Sequence, residues 1–199
     1  MAGQSGAYRL VPGAWPQVRR SQLEVAALDT APGCLRLRTR TVLREWGLAM
    51  FPGVEDFPGT VELLVSELVT NSVEAVQAPE AAAVPSWLPG ILPECPCVEL
   101  RLSLDDQKLL IEVWDAHPAP PPQPSLPDLD APSGRGLFLV EQLSHDWGFY
   151  YPALPGSHDA HRLERFRPAP APVPPELRWV TGKVVWCELM RATYASAAS

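Results

Sequence analysis

The sequence predicts an α/β fold in which helices pack against a sheet. Residues 61–77 place apolar side chains at i+3, i+4 and i+7 spacing, which is the pattern of a helix with one buried face. Residues 98–104 and 109–115 alternate between apolar and polar side chains on either side of a short acidic turn, which is the pattern of a β-hairpin. A helix and a hairpin that each carry one apolar face can bury those faces against each other.

The composition indicates a globular protein that binds neither nucleic acid nor membranes. The chain has 199 residues, of which 46% are hydrophobic, and this is enough for one core. Its formal net charge is -7, and it has no Lys/Arg cluster that would attract nucleic acid or anionic lipid. No apolar run approaches the roughly 18 residues that span a bilayer, and the N-terminal residues lack the features of a signal peptide. We therefore expect a cytoplasmic protein.

The cysteines do not form a recognisable metal site. The Cys95-Pro-Cys97 pair has no second Cys or His pair at metal-site spacing, and Cys34 and Cys187 are remote in sequence. We expect all four to be reduced thiols.

Prolines divide the chain, because proline excludes the interiors of helices and central strands. There are 24 of them, and they concentrate in two segments, residues 78–96 and 152–178, which we interpret as insertions. Residues 1–34 are interpreted as an N-terminal extension, residues 35–190 as the domain and residues 191–199 as a tail.

Two helices are predicted in the first half of the domain. Residues 35–48 fit an amphipathic helix that stops at Gly47, although its first residues could also form a strand. The second helix is predicted from Val61 to Gln77, with Thr60 as its N-cap and Pro79 just beyond its end.

The second half of the domain follows the hairpin with a loop, a helix and a strand. The loop covers residues 116–133 and is too rich in proline for regular structure. The helix is predicted over residues 137–148, directly after a glycine motif. The last strand is predicted within residues 182–192, where apolar and polar residues alternate.

Three polar features interrupt these elements, and each has a plain structural explanation. Glu67 and Asn71 lie one turn apart on one side of the second helix, where a solvated face is the simplest explanation. Asp115 ends a strand, where it could be a turn residue. The glycines of Gly134-Arg135-Gly136 could serve helix entry alone, or could let backbone N–H groups approach phosphate oxygens. A long loop rather than a strand precedes them, so they are not a Rossmann fingerprint.

In this order, the features resemble the Bergerat-fold (GHKL) ATPase and kinase superfamily of gyrase, Hsp90 and histidine kinases, specifically its bacterial anti-sigma factor serine/threonine kinases. The segment ELLVSELVTNSVEA resembles the N-box, IEVWDAHPAPP the first G-box, SGRGLFLVEQLSHDWG the second G-box and GKVVWCEL the closing strand. The resemblance covers most of residues 35–190. It implies a two-layer sandwich with helices on one face of a mixed, mostly antiparallel sheet.

The resemblance also implies ATP and Mg²⁺ as ligands, and it gives each candidate residue a role. Glu67 would be the catalytic residue that orients or deprotonates the attacking hydroxyl. Asn71 would coordinate Mg²⁺ through its amide oxygen, and Asp115 would accept a hydrogen bond from the adenine amino group. The lid over the phosphates would consist of the loop 116–133 and the residues of the glycine motif, Gly134, Arg135 and Gly136.

The function implied is that of a kinase that phosphorylates a small anti-sigma factor antagonist and sequesters a sigma factor according to the state of that partner. Glu67 and Asn71 favour this function. Ala116, where the family usually has glycine, and Glu74, where relatives often have a basic residue, favour the alternative. The alternative is a binding module that keeps the fold and docks partners without turnover. The sequence leaves the partners' identity and the oligomeric state open, and a homodimer is one assembly it allows.

Overall fold

The computed structural model describes residues 18–48, 57–78, 96–122, 136–152 and 182–190. In chain order, the elements are β1 (Arg19–Ala26), α1 (Ala31–Glu45), α2 (Phe57–Gln77), β2 (Cys97–Leu104), β3 (Lys108–Asp115), α3 (Gly136–Leu143), β4 (Asp146–Tyr150) and β5 (Lys183–Met190). The strands form one sheet in the order β1-β2-β3-β5-β4, and every described pairing is antiparallel. The predicted α/β sandwich is confirmed.

One face of the sheet carries the core. On β3, Leu109, Ile111 and Val113 are buried, and they alternate with residues that are only partly covered. All three helices contribute to the same apolar cluster, which includes Leu35 from α1, Leu64 and Leu68 from α2, Val140 from α3, and Val185 and Leu189 from β5. Full burial of one such side chain stabilises the fold by about 1.5–3 kcal/mol, so the helices are held to this face mainly by apolar contact.

Helix α1 begins earlier than predicted and is helical from its first residue. It starts at Ala31 and contains Pro32 in its first turn. Proline is tolerated there because the backbone N–H that it lacks would have no hydrogen-bond partner within the helix. The alternative of an initial strand at Leu35 is therefore wrong. The predicted glycine stop is confirmed, since Gly47 has a φ of 75°, a conformation that favours glycine.

Helix α2 also begins earlier than predicted. It starts at Phe57 and contains Thr60, so the assignment of Thr60 as N-cap is wrong. The helix tolerates Pro58 in its first turn for the same reason that α1 tolerates proline. Its predicted end at Gln77 is confirmed, and the Gln77 side-chain amide donates a 3.0 Å hydrogen bond to the Ala27 carbonyl oxygen.

The predicted hairpin is confirmed as β2 and β3. Its turn is fixed by Asp105, whose Oδ1 accepts hydrogen bonds of 2.8 Å from the backbone N–H groups of Gln107 and Lys108. The register places Val98 opposite Asp115, so the end of β3 lies beside the start of β2.

The two edge strands were not predicted. Strand β1 lies within the segment interpreted as an N-terminal extension and pairs with β2 along its whole length. Most of its side chains are exposed, so its sequence shows little alternation. Strand β4 takes residues that were assigned to the end of the third helix, because α3 stops at Leu143 and the His145 N–H donates to the Glu188 carbonyl oxygen on β5.

Several predictions lie partly or wholly outside the described residues. The insertion at 78–96 is described only at residues 78 and 96, and the insertion at 152–178 only at residue 152. The loop 116–133 is described only as far as residue 122. The division into extension, domain and tail stays a prediction. Among the described helices, none is long and apolar enough to cross a membrane. Among the described residues, Cys34, Cys97 and Cys187 form no disulfide bond.

Candidate functional site

The first residue of α3 lies against two polar side chains of α2. A Cβ atom added to Gly136 would come within 2.8 Å of Glu67 Oε2, 3.2 Å of Asn71 Nδ2 and 3.4 Å of Asn71 Oδ1. Only glycine allows α3 to begin this close to the pair without moving them. The one-turn spacing of Glu67 and Asn71 therefore directs both side chains at a helix N-terminus, and the solvated-face explanation is wrong.

Burial affects both polar groups of this pair, the Asn71 amide and the Glu67 carboxyl group. The Asn71 Nδ2 atom is buried and donates to no acceptor in the described part of the chain. The pKa of Glu67 is raised, first because burial disfavours the carboxylate and second because Glu74 carries a like charge. Glu74 itself is exposed. A buried donor without a partner in the described part of the chain, beside a partly desolvated carboxylate, is typical of sites that bind a ligand.

The second part of the site is the buried carboxyl group at the end of β3. Asp115 is 0% exposed. Its Oδ1 accepts a 2.7 Å hydrogen bond from Lys183 Nζ and a 2.9 Å hydrogen bond from the backbone N–H of His117. Its Oδ2 has no hydrogen-bond partner among the described residues. Burial raises the pKa of Asp115, and the Lys183 ammonium group opposes that rise.

Lys183 was missed by sequence reasoning. It is the first residue of β5 and pairs across the sheet with Asp115, from which it is separated by 68 residues in sequence. Its ammonium group also donates a 3.1 Å hydrogen bond to the His117 carbonyl oxygen. Lys183 could have been found by pairing the two predicted strands in antiparallel orientation. The end of β3, with Asp115, then lies beside the start of β5, with Lys183.

A glycine allows β5 to start at this place. Gly182 has a φ of 62°, and a Cβ atom there would overlap the Asp115 carbonyl oxygen and lie 3.0 Å from Ala116 Cα. The conformation and the contact both require glycine. Strand β5 therefore enters the sheet tightly against the residue that follows the buried carboxylate.

Helix α2 joins the two parts of the site. The hydroxyl group of the buried Ser72, next to Asn71 in sequence, lies near Asp115 and lowers the pKa of its carboxyl group. The buried face of the helix, which also carries Ser72, is fixed by core residues that are 0% to 1% exposed: Leu64, Val65, Leu68 and Val69. The glutamate, the asparagine and the serine are thus presented from one rigid element.

The structure therefore brings together four of the predicted site residues. Glu67, Asn71 and Gly136 are in direct proximity, and Asp115 is close to the same helix through Ser72. Gly134 and Arg135 lie outside the described residues. The His117 ring is used locally, since its Nδ1 accepts a hydrogen bond from the backbone N–H of Ala119.

The arrangement offers three kinds of interaction. A carboxylate and an amide oxygen at Glu67 and Asn71 are hard ligands of the type that Mg²⁺ prefers. The N-terminus of an eight-residue helix beside them carries partial positive charge and favours anions. The Oδ2 atom of Asp115, which has no hydrogen-bond partner within the described ranges, can accept a hydrogen bond from an amino group.

Comparison with protein families gives a match. The family described as Histidine kinase-like ATPase domain matches residues 28–152, which is more than half of the chain and contains the four residues brought together here. Comparison with individual curated proteins gives no match. The family supports ATP binding, which the predicted resemblance also implied. From its fold and this match, the chain belongs to the histidine kinase-like ATPase domain family.

Proposed function

We propose that the protein is a Mg²⁺-dependent, ATP-binding serine/threonine kinase of the anti-sigma factor type. The observation that carries the proposal is the proximity of Gly136 to Glu67 and Asn71, whose side-chain atoms lie 2.8–3.4 Å from the position of a Cβ atom added to Gly136. The N-terminus of α3 therefore lies beside a carboxylate and an amide. A triphosphate fits such a place, because the helix end attracts the phosphates and the amide oxygen can share their metal ion.

Asp115 holds the base of the nucleotide in this proposal. Its Oδ2 atom is buried and accepts nothing within the described residues, and the adenine amino group would supply the missing donor. An acceptor that is buried without a partner costs about 1–3 kcal/mol, so a base without a donor at this position should bind more weakly. Gly134, Arg135 and the loop 116–133 would close over the phosphates.

Asn71 is suited to hold Mg²⁺ with the triphosphate. Its amide group lies at the start of α3, where the Oδ1 atom can bind the ion. The Nδ2 atom, which has no acceptor in the described part of the chain, can donate a hydrogen bond to a phosphate oxygen. Mg²⁺ commonly takes only one or two protein ligands and completes its shell with phosphate oxygens and water. When bound, the ion would neutralise charge on the phosphates.

Glu67 is suited to act as the base. Its raised pKa makes it a better proton acceptor than an exposed glutamate, because burial disfavours its ionised form. In the transfer, the hydroxyl oxygen of the protein substrate bonds to the γ-phosphorus, and the bond between that phosphorus and the β–γ bridging oxygen breaks. The hydroxyl proton passes to Glu67, and ADP leaves.

The regulatory part of the proposal concerns protein partners. The substrate would be an anti-sigma factor antagonist, and the second partner would be a sigma factor that the kinase sequesters in the cytoplasm. A homodimer would be compatible with this activity. The support is the resemblance of the sequence to that branch, namely the N-box helix with Glu67 and Asn71 and the glycine motif before α3.

A second candidate is a partner-binding module without turnover. It is favoured by Glu74, which adds negative charge near a site intended for a triphosphate and raises the pKa of Glu67. Ala116, in place of the usual glycine, also favours it. Both candidates share the fold, so only the presence of phosphate transfer separates them.

The test compares two variants that should fail in different ways. Glu67→Gln keeps the size of the side chain but removes the base, so it should bind Mg-ATP nearly as the parent does and transfer phosphate about 10²- to 10⁴-fold more slowly. Asn71→Ala should lose ATP affinity itself. Affinity is measured by calorimetric titration, and transfer to a co-purified partner by mass spectrometry.

Glu62→Gln is the matched control, because Glu62 lies on the same helix but pairs with Arg40 at 2.6 Å. It should bind and transfer as the parent does. A parent protein that holds its partner but transfers nothing would establish the binding module instead. Transfer at the parental rate by Glu67→Gln would show that Glu67 is not the base.

A further inference from the structure

We propose that Lys183 is a positioning residue that keeps Asp115 fixed and ionised, so that the site selects a base with a 6-amino group over a base with a 6-oxo group. The inference rests on the proposed ATP site and names the residue that sets its base specificity.

The contacts leave Asp115 with one oxygen for a ligand. Lys183 Nζ lies 2.7 Å from Oδ1, and the His117 N–H donates to the same oxygen at 2.9 Å. The second bond of Lys183, to the His117 carbonyl oxygen at 3.1 Å, ties this loop residue to the pair. The carboxyl group therefore cannot turn to offer Oδ1 instead, and Oδ2 is left without a partner among the described residues.

The ionisation of Asp115 decides which base this oxygen can bind. A carboxylate only accepts hydrogen bonds, whereas a protonated carboxyl group can also donate one. The 6-amino group of adenine donates, and the 6-oxo group of hypoxanthine accepts. An ionised Asp115 can therefore accept a hydrogen bond from the amino group of adenine, but it cannot form one with the oxo group of hypoxanthine, because both groups are acceptors. A protonated Asp115 can form a hydrogen bond with either base.

Lys183 supplies the cation that keeps this group ionised. The two side chains are 4% and 0% exposed, so little water is present to stabilise a lone carboxylate. The other described groups that act on Asp115 are neutral: the His117 N–H in the following loop and the Ser72 hydroxyl on α2. Its partner across the β2 pairing is the apolar Val98. Without Lys183, nothing charged among these would oppose protonation of Asp115.

The experiment measures the affinities of ATP and ITP, each with Mg²⁺, for the parent and for Lys183→Met at pH 8 and pH 5.5. The parent should prefer ATP by about 5- to 150-fold at pH 8, the range for one unsatisfied buried acceptor. Lys183→Met should have a smaller preference for ATP than the parent, and the difference should be larger at pH 5.5 than at pH 8, because loss of the cation raises the pKa of Asp115.

Lys108→Met is the matched control, since Lys108 pairs at 2.8 Å with Glu188 and is 42% exposed. Its ATP/ITP ratio should match that of the parent. If Lys183→Met does not fold, the ¹³C carboxyl resonance of Asp115 in the parent tests the same idea, and a protonated Asp115 at pH 7 would overturn it. Parent protein that binds neither nucleotide would refute the ATP site and this role together. ATP binding by the parent, with an unchanged ratio in Lys183→Met at both pH values, would refute only the role of Lys183.

Discussion

Replacing Gly136 by alanine should damage the site while leaving the fold almost unchanged. The new Cβ atom would come within 2.8 Å of Glu67 Oε2, closer than ordinary packing allows, and within 3.2 Å of Asn71 Nδ2. The atoms that must move are the ends of side chains rather than backbone. The perturbation therefore falls on the two groups proposed for metal binding and proton transfer.

The expected magnitudes separate function from stability. Replacing glycine by alanine at a helical position stabilises a protein by about 0.4–1 kcal/mol when the space is free, which offsets part of the strain at Gly136. We expect a net change in the free energy of unfolding below about 1 kcal/mol. A misplacement of reacting groups by about 1 Å can lower a rate about 10²-fold, so phosphate transfer should fall by that order.

Gly33→Ala provides the matched control, because a Cβ atom at Gly33 in α1 meets nothing within 4 Å. Thermal unfolding and ATP titration are measured for both variants and the parent, together with phosphate transfer. Gly33→Ala should bind and transfer as the parent does and should be slightly more stable. If Gly136→Ala binds Mg-ATP and transfers phosphate at the parental level, the proximity of α3 to Glu67 and Asn71 has no functional role.

Two further predictions concern the platform and the charge beside the site. Leu64→Ala, at a side chain that is 0% exposed, should lower the free energy of unfolding by about 2–5 kcal/mol in chemical denaturation, whereas Leu63→Ala, at a neighbour that is 38% exposed, should lower it by less than about 1 kcal/mol. Equal effects would contradict the assigned inner face of α2. Glu74→Arg should tighten ATP binding, most at low salt, and should move the acid limb of the transfer rate to lower pH. The shift is to lower pH because Glu67 acts as a base when it is ionised, and removing the like charge of Glu74 lowers the pKa of Glu67. A pH profile that stays unchanged at every ionic strength would contradict this prediction.

The sequence predicted the central elements because their patterns come from burial on one face. Strand β3 alternates buried and partly covered residues along its length, and the inner face of α2 repeats at helical spacing. The helix starts were predicted less well. A proline normally indicates the end of a helix, but Pro32 and Pro58 lie in the first turns of α1 and α2. A proline in the first turn removes no hydrogen bond of the helix. The edge strands gave little pattern, since β1 is mostly exposed and β4 has only five residues.

The site could be predicted where its residues lie together in sequence. Glu67 and Asn71 are one turn apart, and their shared direction follows from helix geometry alone. Their proximity to Gly136 depends on how α3 packs on α2. The spacing of residues within either helix does not determine that packing. The order of the motifs along the chain suggested that proximity through the resemblance, and the structure supplies its distances.

The role proposed for Lys183 shows why the matched segment does not contain the whole site. The family match ends at residue 152, whereas Lys183 begins a strand that joins the sheet between β3 and β4. The cation reaches Asp115 only because β3 and β5 are paired in a register that places them opposite each other. A one-residue shift of that register would turn Lys183 to the other face of the sheet and bring its neighbour Val184 to the position beside Asp115. The ionisation of the buried carboxyl group therefore depends on the position of the last strand, and so does the base specificity proposed for it.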